Sequence, residues 1–262
     1  VSDLVVVRGG GDLGSGVAVR LWRCGFRLTV LETARPIAVR RQVAFAEAVY
    51  EGRTCVEEVP GYLCGVDDVL RHGVSDSSIP VVVDPEATAI ATLQPRALID
   101  AIMAKRNLGT TPEMAPRVVA LGPGFTAGID AHAVVETHRG PHMGRVLWQG
   151  SAAPNTGLPG EILGQGRLRV LRAPSAGTVR ALRSIGDLVN EGDVVAEVDG
   201  SSVAAPFSGV LRGLVRDGLE VPAGTKIGDV DPRRDPTLAY LISDKALAVA
   251  GGALEAILDR KR

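Results

Sequence analysis

A continuous β-branched run, Leu4-Val5-Val6-Val7, reaches Arg8 and passes at once into Gly9-Gly10-Gly11-Asp12-Leu13-Gly14. An unbroken apolar run of this kind suits a strand covered on both faces, as in a parallel sheet flanked by helices. Val17, Leu21 and Trp22 recur at helical spacing before Cys24-Gly25-Phe26 breaks the pattern, so the segment reads strand, tight turn, helix. Gly9, Gly11 and Gly14 fit G-x-G-x-x-G. Glycines at that spacing let the turn take positive φ, let the backbone approach a pyrophosphate, and let the helix sit close to the strand. The free N–H groups of the helix start then face the anion.

A second strand, Arg27-Leu28-Thr29-Val30-Leu31, ends on Glu32, about 20 positions after the second glycine, where a ribose-binding acid is expected. The pattern predicts a Rossmann-like domain holding NAD or a related nucleotide at Gly9, Gly10, Gly11, Gly14 and Glu32. A 2′-phosphate would be repelled by Glu32, although Arg35 partly offsets that. Asp12 sits in the turn, where a carboxylate facing a diphosphate weakens binding. The bland alternative is a glycine turn that only packs helix on sheet.

Further apolar runs, Ile79 to Val83, Ala97 to Ile99 and Val118 to Leu121, read as more parallel strands. Their carboxyl ends would bring Asp84, Asp100, Lys105, Gly122 and Gly124 to one crevice. Asp100 and Lys105 are the candidates for acid–base catalysis, with helix capping and tight turns as the structural alternative. Arg40-Arg41 is either a clamp for phosphate or a pterin carbonyl, or a solvated pair. His132, Glu136, His138 and His142 invite a metal reading, but Gly140-Pro141 forbids the helix that would align them, so no metal is expected.

At 262 residues the chain is long enough for two modules. The second is defined by a repeat: Gly177, Gly186, Gly192 and Asp199 recur as Gly209, Gly218, Gly224 and Asp231, each pair 32 positions apart. The pattern from Ala173-Pro174 to Ala205-Pro206 resembles biotinyl and lipoyl domains, the barrel-sandwich hybrid. In those carriers a lysine sits on the hairpin joining the copies; here that hairpin is Asp199-Gly200-Ser201-Ser202, and Lys226 falls inside the second copy. The resemblance therefore implies a relative that carries no covalent group. Arg233-Arg234, just after the second copy, is placed to reach an anionic ligand. Leu238 to Ile257 reads as a terminal helix pair interrupted at Gly251-Gly252. The expected layout is α/β: residues 1–165 a Rossmann-like sheet domain, 166–235 the small all-β module, 236–262 a helical segment.

The net charge of −1 and nine aromatics argue against nucleic acid as partner. No run approaches the roughly 18 apolar residues of a membrane helix. Cys24, Cys55 and Cys64 form no CxxC pair, which fits a reducing cytoplasm.

Six stretches together resemble one family: Arg8-Gly9-Gly10-Gly11-Asp12; Val39-Arg40-Arg41 with Ala48-Val49-Tyr50-Glu51-Gly52; Asp100-Ala101-x-x-Ala104-Lys105-x-Asn107-x-Gly109-Thr110; Leu121-Gly122-Pro123-Gly124-Phe125; Glu136-Thr137-x-Arg139-Gly140; and Gly228-Asp229-Val230-Asp231-Pro232-Arg233. That family is the accessory protein of the selenium-dependent molybdenum hydroxylase system, related to xanthine dehydrogenase accessory factors. The resemblance implies help in maturing a molybdenum hydroxylase client, with a nucleotide as ligand and the molybdopterin cofactor as cargo. The alternative is an NAD-dependent oxidoreductase on a small substrate, and the residues leave open whether any reaction is catalysed.

Overall fold

The computed structural model describes residues 3–74, 77–157 and 160–259. The chain divides into two compact units: unit 1 comprises Val1–Pro36, Ala44–Thr156 and Ile242–Arg262, and unit 2 comprises Ile37–Val43 and Gly157–Leu241. This partition differs from the sequence layout at both ends. The stretch with Arg40 and Arg41 belongs to unit 2, and the C-terminal helix belongs to unit 1.

In unit 1 the strands are β1 (Leu4–Arg8), β2 (Arg27–Glu32), β3 (Arg53–Val56), β4 (Val59–Cys64), β5 (Ile79–Val83), β6 (Ala97–Asp100), β7 (Arg117–Leu121), β8 (Thr126–Ala127), β9 (Ala133–Val135), β10 (Val146–Leu147) and β11 (Gly150–Ser151). Nine of them form one sheet in the order β10-β9-β7-β6-β1-β2-β5-β4-β3. All pairs from β9 across to β4 are parallel, and only the edge strands β10 and β3 run antiparallel. β1 lies between β2 and β6, so successive strands progress outward in opposite directions from it.

Burial on both faces explains why β1 reads as an unbroken apolar run. Val6, Leu31, Val82, Leu98, Val118 and Val134 fill one face with Val69 of α3 (Val66–His72) and Ile90 and Leu93 of α4 (Ile90–Leu93). On the other face, α1 (Asp12–Arg23) packs on β1 and β2, while α5 (Asp244–Leu258) packs on β7, β9, β10 and along α1. α2 (Ala48–Glu51) is a single turn before β3. The close approach of α1 and α5 depends on small residues: a Cβ at Gly16 would stand 2.8 Å from that of Ala246. The expected helix pair is instead a short 3-10 turn, Pro236–Ala239, and one continuous helix through Gly251-Gly252. Gly252 has no room for a side chain, because the Gly144 carbonyl occupies the space a Cβ would take.

Unit 2 is antiparallel. Its strands are β12 (Val170–Arg172), β13 (Gly177–Ala181), β14 (Leu188–Val189), β15 (Val194–Val198), β16 (Ser201–Ala204), β17 (Gly209–Leu214), β18 (Glu220–Val221) and β19 (Lys226–Asp231). The repeat is visible in the starts: β13 and β17, β14 and β18, β15 and β19 are each 32 residues apart. The copies exchange strands, forming the sheets β12-β19-β17-β14 and β16-β15-β13-β18. Each sheet thus takes strands from both copies. Neither copy can close its core alone, because Val179, Val195 and Val198 of the first bury against Leu211, Leu214, Ile227 and Val230 of the second. Asp199 and Gly200, with φ of 45° and 81°, make the tight β15–β16 turn.

Candidate functional site at the carboxyl ends of the parallel strands

The glycine turn is stitched from several directions. Gly9 takes φ of 103° and donates its N–H to the Leu31 carbonyl at 2.8 Å. A Cβ there would stand 2.9 Å from the backbone of Ala101 and Ile102, so the first glycine serves the approach of two chain segments. Gly10 meets the segment after residue 43: its carbonyl accepts from the Ala46 N–H at 2.9 Å and from the Ser15 hydroxyl at 2.9 Å. Gly14 has no room for a side chain against the Gly9 carbonyl. Gly11 alone among these four faces open space, in an ordinary extended conformation at the N-cap of α1.

Glu32 closes the other side. Its carboxylate accepts from the Gly10 N–H at 2.7 Å and from the Thr33 N–H at 2.8 Å. Burial pushes its pKa up from the ordinary glutamate value, partly countered by those hydrogen bonds from Thr33 and Gly10. Between β1, β2, β5 and β6 opens a cleft of about 440 Å³ whose lining includes Arg8, Glu32, Asp84, Glu86, Ile102 and Leu108. Such a cleft, where strands progress outward in opposite directions, is where open parallel sheets take ligands. A second, more open cleft of about 660 Å³ lies at the ends of β4 and β5, lined by Leu63, Cys64, Val66 and Val83, and shares Asp84 with the first.

Beneath the first cleft lies a buried polar group in which Asp100 was expected from the sequence as a site residue and Arg8 and Thr110 were not. Arg8, 4% exposed, donates from Nη1 to the Thr110 hydroxyl at 3.0 Å and from Nη2 to the Pro85 carbonyl at 2.8 Å. The Thr110 hydroxyl donates in turn to Asp100 at 2.6 Å, and Asp100 stands 3.9 Å from the guanidinium. The Nε of Arg8 is buried with no hydrogen-bond partner among the described residues. Leaving a buried donor unmade costs about 1–3 kcal/mol. The available signal was a basic residue closing an otherwise apolar central strand.

The other expected site residues divide as follows. Gly9, Glu32 and Asp84 line the first cleft, and Gly10 reaches it through Glu32. The Asp84 carboxylate accepts from the N–H groups of Thr88 and Ala89 at 3.0 and 2.8 Å, holding the loop that follows β5. Asp100 is 1% exposed, and burial pushes its pKa up while Thr110, Ile102 and Arg8 pull the other way. Lys105 is exposed on an irregular stretch and is not among the cleft residues, so the two do not form an acid–base pair there. Gly122 and Gly124 have packing reasons: a Cβ on Gly122 would meet the Thr137 hydroxyl at 2.5 Å, and one on Gly124 the Arg106 backbone at 2.5 Å.

Arg40 and Arg41 require a correction. Both lie in unit 2, where Arg40 donates to the carbonyls of Leu238 and Leu241 at 3.2 and 2.6 Å, and Arg41 to that of Leu214 at 3.2 Å. Those bonds tie the 37–43 stretch to unit 2. Arg233 likewise binds Asp231 through Nε and Nη2 at 2.9 and 2.7 Å, which employs the guanidinium that had been assigned to an anionic ligand.

Of the histidine group, His132 accepts from the Val118 N–H at 2.9 Å through Nδ1. Burial, with Arg117 nearby, lowers its pKa. Glu136 accepts from the His138 and Ala153 N–H groups at 2.6 and 2.7 Å. Among the described residues no cluster of three or more His, Cys, Asp or Glu side chains is placed to hold a metal ion. No described helix is long and apolar enough to cross a membrane.

Comparison with known proteins adds one substantial likeness. No family model matches the chain. It is 48% identical over 256 residues to "Uncharacterized protein YqeB" of Escherichia coli (strain K12), covering 98% of this chain and 47% of that protein. The chain thus spans about half the length of this relative. A solved aspartoacylase family protein from Mesorhizobium loti is 14% identical, covering 87% of this chain and 84% of that one, with a TM-score of 0.28. At that score the likeness carries no argument about fold or function.

Proposed function

We propose that unit 1 is a Rossmann-like domain binding a nucleotide of the NAD type in the cleft between β1, β2, β5 and β6. Taken as β1, β2, β5, β6, β7 and β9, the strands follow the 3-2-1-4-5-6 order of doubly wound dinucleotide folds. The observation that carries the reading is Glu32, at the end of β2 on the cleft wall, fixed to the Gly10 N–H. Each of its oxygens accepts one backbone bond and keeps a lone pair for a ribose hydroxyl. Open space at Gly11 leaves room for a pyrophosphate at the start of α1.

The role of the nucleotide domain, in this reading, is that of an accessory protein in the maturation of a molybdenum hydroxylase. The support is the motif resemblance running from Arg8 to Arg233. Unit 2, with strands exchanged between two copies, supports a barrel-sandwich hybrid lacking an acceptor lysine, which contributes by non-covalent docking. For the molybdopterin cargo the support is the motif resemblance alone, since the printed bonds of Arg40 and Arg41 run to backbone carbonyls of unit 2.

Calorimetric titration with NAD and NADP tests the binding half, with NAD expected to bind more tightly. Absence of binding by either, or preference for NADP, overturns it. Coexpression with a molybdenum hydroxylase tests the other half. Equal hydroxylase activity with and without this protein removes the accessory role.

A further inference from the structure

Within unit 1, α1 and α5 begin side by side at the carboxyl ends of the parallel strands. Arg139, shortly after β9, holds Asp244 at the start of α5 with bonds of 2.8 and 3.2 Å. Arg117, which opens β7, donates to the Asp259 carbonyl beyond the end of α5 at 3.1 Å. α5 therefore runs opposite to the strands, as α1 does in linking the parallel pair β1 and β2. The helices touch near their starts: a Cβ on Gly16 would stand 2.8 Å from that of Ala246 and 3.1 Å from Cγ2 of Ile242. Asp12 lies one turn before Gly16, and Lys245 adjoins Ala246.

Lys245 is half-buried, and its Nζ makes no hydrogen bond and no ion pair within 4.0 Å among the described residues. The carboxylates of Asp12, Glu136 and Asp244 act on it from farther off. Glu136 accepts from the N–H groups of His138 and Ala153, and Asp244 is held by Arg139. Burial, helped by Arg139, lowers the Lys245 pKa from the ordinary lysine value, while Asp12, Glu136 and Asp244 pull the other way. An ammonium has three hydrogens to donate, and holding it partly out of water without an acceptor is costly unless a ligand supplies one. Beside it is the start of α1, where Gly11 faces open space and no side chain caps the helix.

We propose that Lys245 is the cationic contact of the ligand's pyrophosphate, its Nζ donating to a non-bridging phosphate oxygen at the start of α1. This rests on the nucleotide reading above and answers a difficulty in it. Asp12 opens α1, and its carboxylate opposes a diphosphate unless a cation lies within reach of both. Lys245 is such a cation: its charge offsets Asp12 in the free protein and the phosphate in the complex. The helix that covers β7, β9 and β10 thereby also completes the binding site.

The test uses the whole chain, titrated calorimetrically with ADP and with adenosine. The wild type should bind ADP more tightly than adenosine. Lys245→Gln should lose about tenfold for ADP, the scale of one charge-assisted hydrogen bond, and keep its adenosine affinity. Lys245→Arg should recover most of the loss, because it restores a charged donor. Equal weakening for both probes, or no change for either, overturns the role of Lys245 while leaving the nucleotide reading intact; no binding of ADP or NAD by the wild type overturns both. Should Lys245→Gln fail to fold, side-chain 15N NMR of the wild type decides, in a chain with four lysines. The Lys245 Nζ signal is expected to shift with saturating ADP and not with adenosine, and a signal unmoved by ADP overturns the proposal.

Discussion

The Glu32 carboxylate accepts a 2.7 Å hydrogen bond from the Gly10 backbone N–H, joining the end of β2 to the turn after β1. A residue expected to read a ligand thus also holds the protein's own loop. Glu32→Ala should do two things: leave the Gly10 and Thr33 N–H groups without their acceptor, costing about 1–3 kcal/mol in a denaturant melt, and narrow the preference for NAD over NADP. Because burial raises the Glu32 pKa, the ionised form that accepts from a ribose is lost already above the usual glutamate range near pH 4.3. NAD affinity should therefore fall as pH is lowered through that raised value. Glu32→Gln should flatten the profile, and an unchanged profile would exclude Glu32 as the titrating group.

The turn glycines separate into two kinds, which gives a paired prediction. Gly11 has φ of −71° and nothing within 4 Å of a built Cβ, so Gly11→Val should cost only about 1 kcal/mol as a poorer N-cap while blocking a pyrophosphate. Gly14→Ala drives a methyl into the Gly9 carbonyl, and the resulting strain outweighs the usual gain of alanine in a helix by about 1–3 kcal/mol. Thermal melting and NAD titration of both variants would show the split. Equal melting losses would mean that Gly11 also serves packing.

Much of this was legible because its cause is local. The β1 run and the turn glycines report a strand buried on both faces and a close helix, and the 32-residue repeat reports a two-copy β module; both can be read along the chain. Arg40 and Arg41 were not legible, since their partners, the carbonyls of Leu214, Leu238 and Leu241, lie more than 170 positions away. The same applies to Arg8, whose partners at Pro85, Asp100 and Thr110 are assembled by parallel pairing of distant strands. Gly122 and Gly124 mimic a ligand loop in sequence, but the neighbours that exclude their side chains are Thr137 and Arg106.

Cys64, at the end of β4 beside the second cleft, has its thiol pushed up to about 11 by burial and by Asp68. It should react with a thiol-directed alkylating agent far more slowly at pH 7.5 than the exposed Cys24 and Cys55. Its rate should climb about tenfold per pH unit towards that value. Peptide mapping by mass spectrometry reads all three sites, and early modification of Cys64 would contradict the assignment.

In unit 2 the Asp231 carboxylate is fully buried, with Arg233 at 2.7 Å and Arg212 at 3.6 Å. Burial alone would raise its pKa, but the Arg233 hydrogen bonds and the charges of Arg233 and Arg212 together hold it below the ordinary aspartate value. A depressed carboxylate contributes stability above its unfolded pKa of about 3.9 and loses it as pH falls through the folded value. Asp231→Asn should therefore destabilise by about 3 kcal/mol at pH 7, and the gap from wild type should shrink below about pH 4. Urea melts at several pH values measure it. A gap that stays constant would show that packing, rather than charge, is lost.

A truncation near Gln165 tests how the chain is partitioned. By sequence alone, residues 1–165 form a domain that survives without the rest. The structure places Ile242–Arg262 in unit 1, where α5 lies along α1 and covers β7, β9 and β10. Ala246, Val249, Ala250, Ala253 and Ala256 of α5 are fully buried, and cutting the chain exposes the apolar surface of α1 and the sheet that they cover. At about 25 cal/mol per Å² of apolar area, stripping a helix face from a sheet removes a large share of a typical 5–15 kcal/mol stability. The truncated protein should be insoluble or molten, showing exposed apolar surface by dye binding. An internal deletion of residues 160–241, bridged by a flexible glycine-serine linker and retaining α5, should preserve a cooperative melt of unit 1 and its NAD binding. If the simple truncation melts as cooperatively as the internal deletion, α5 is dispensable to unit 1 and this division of the chain is wrong.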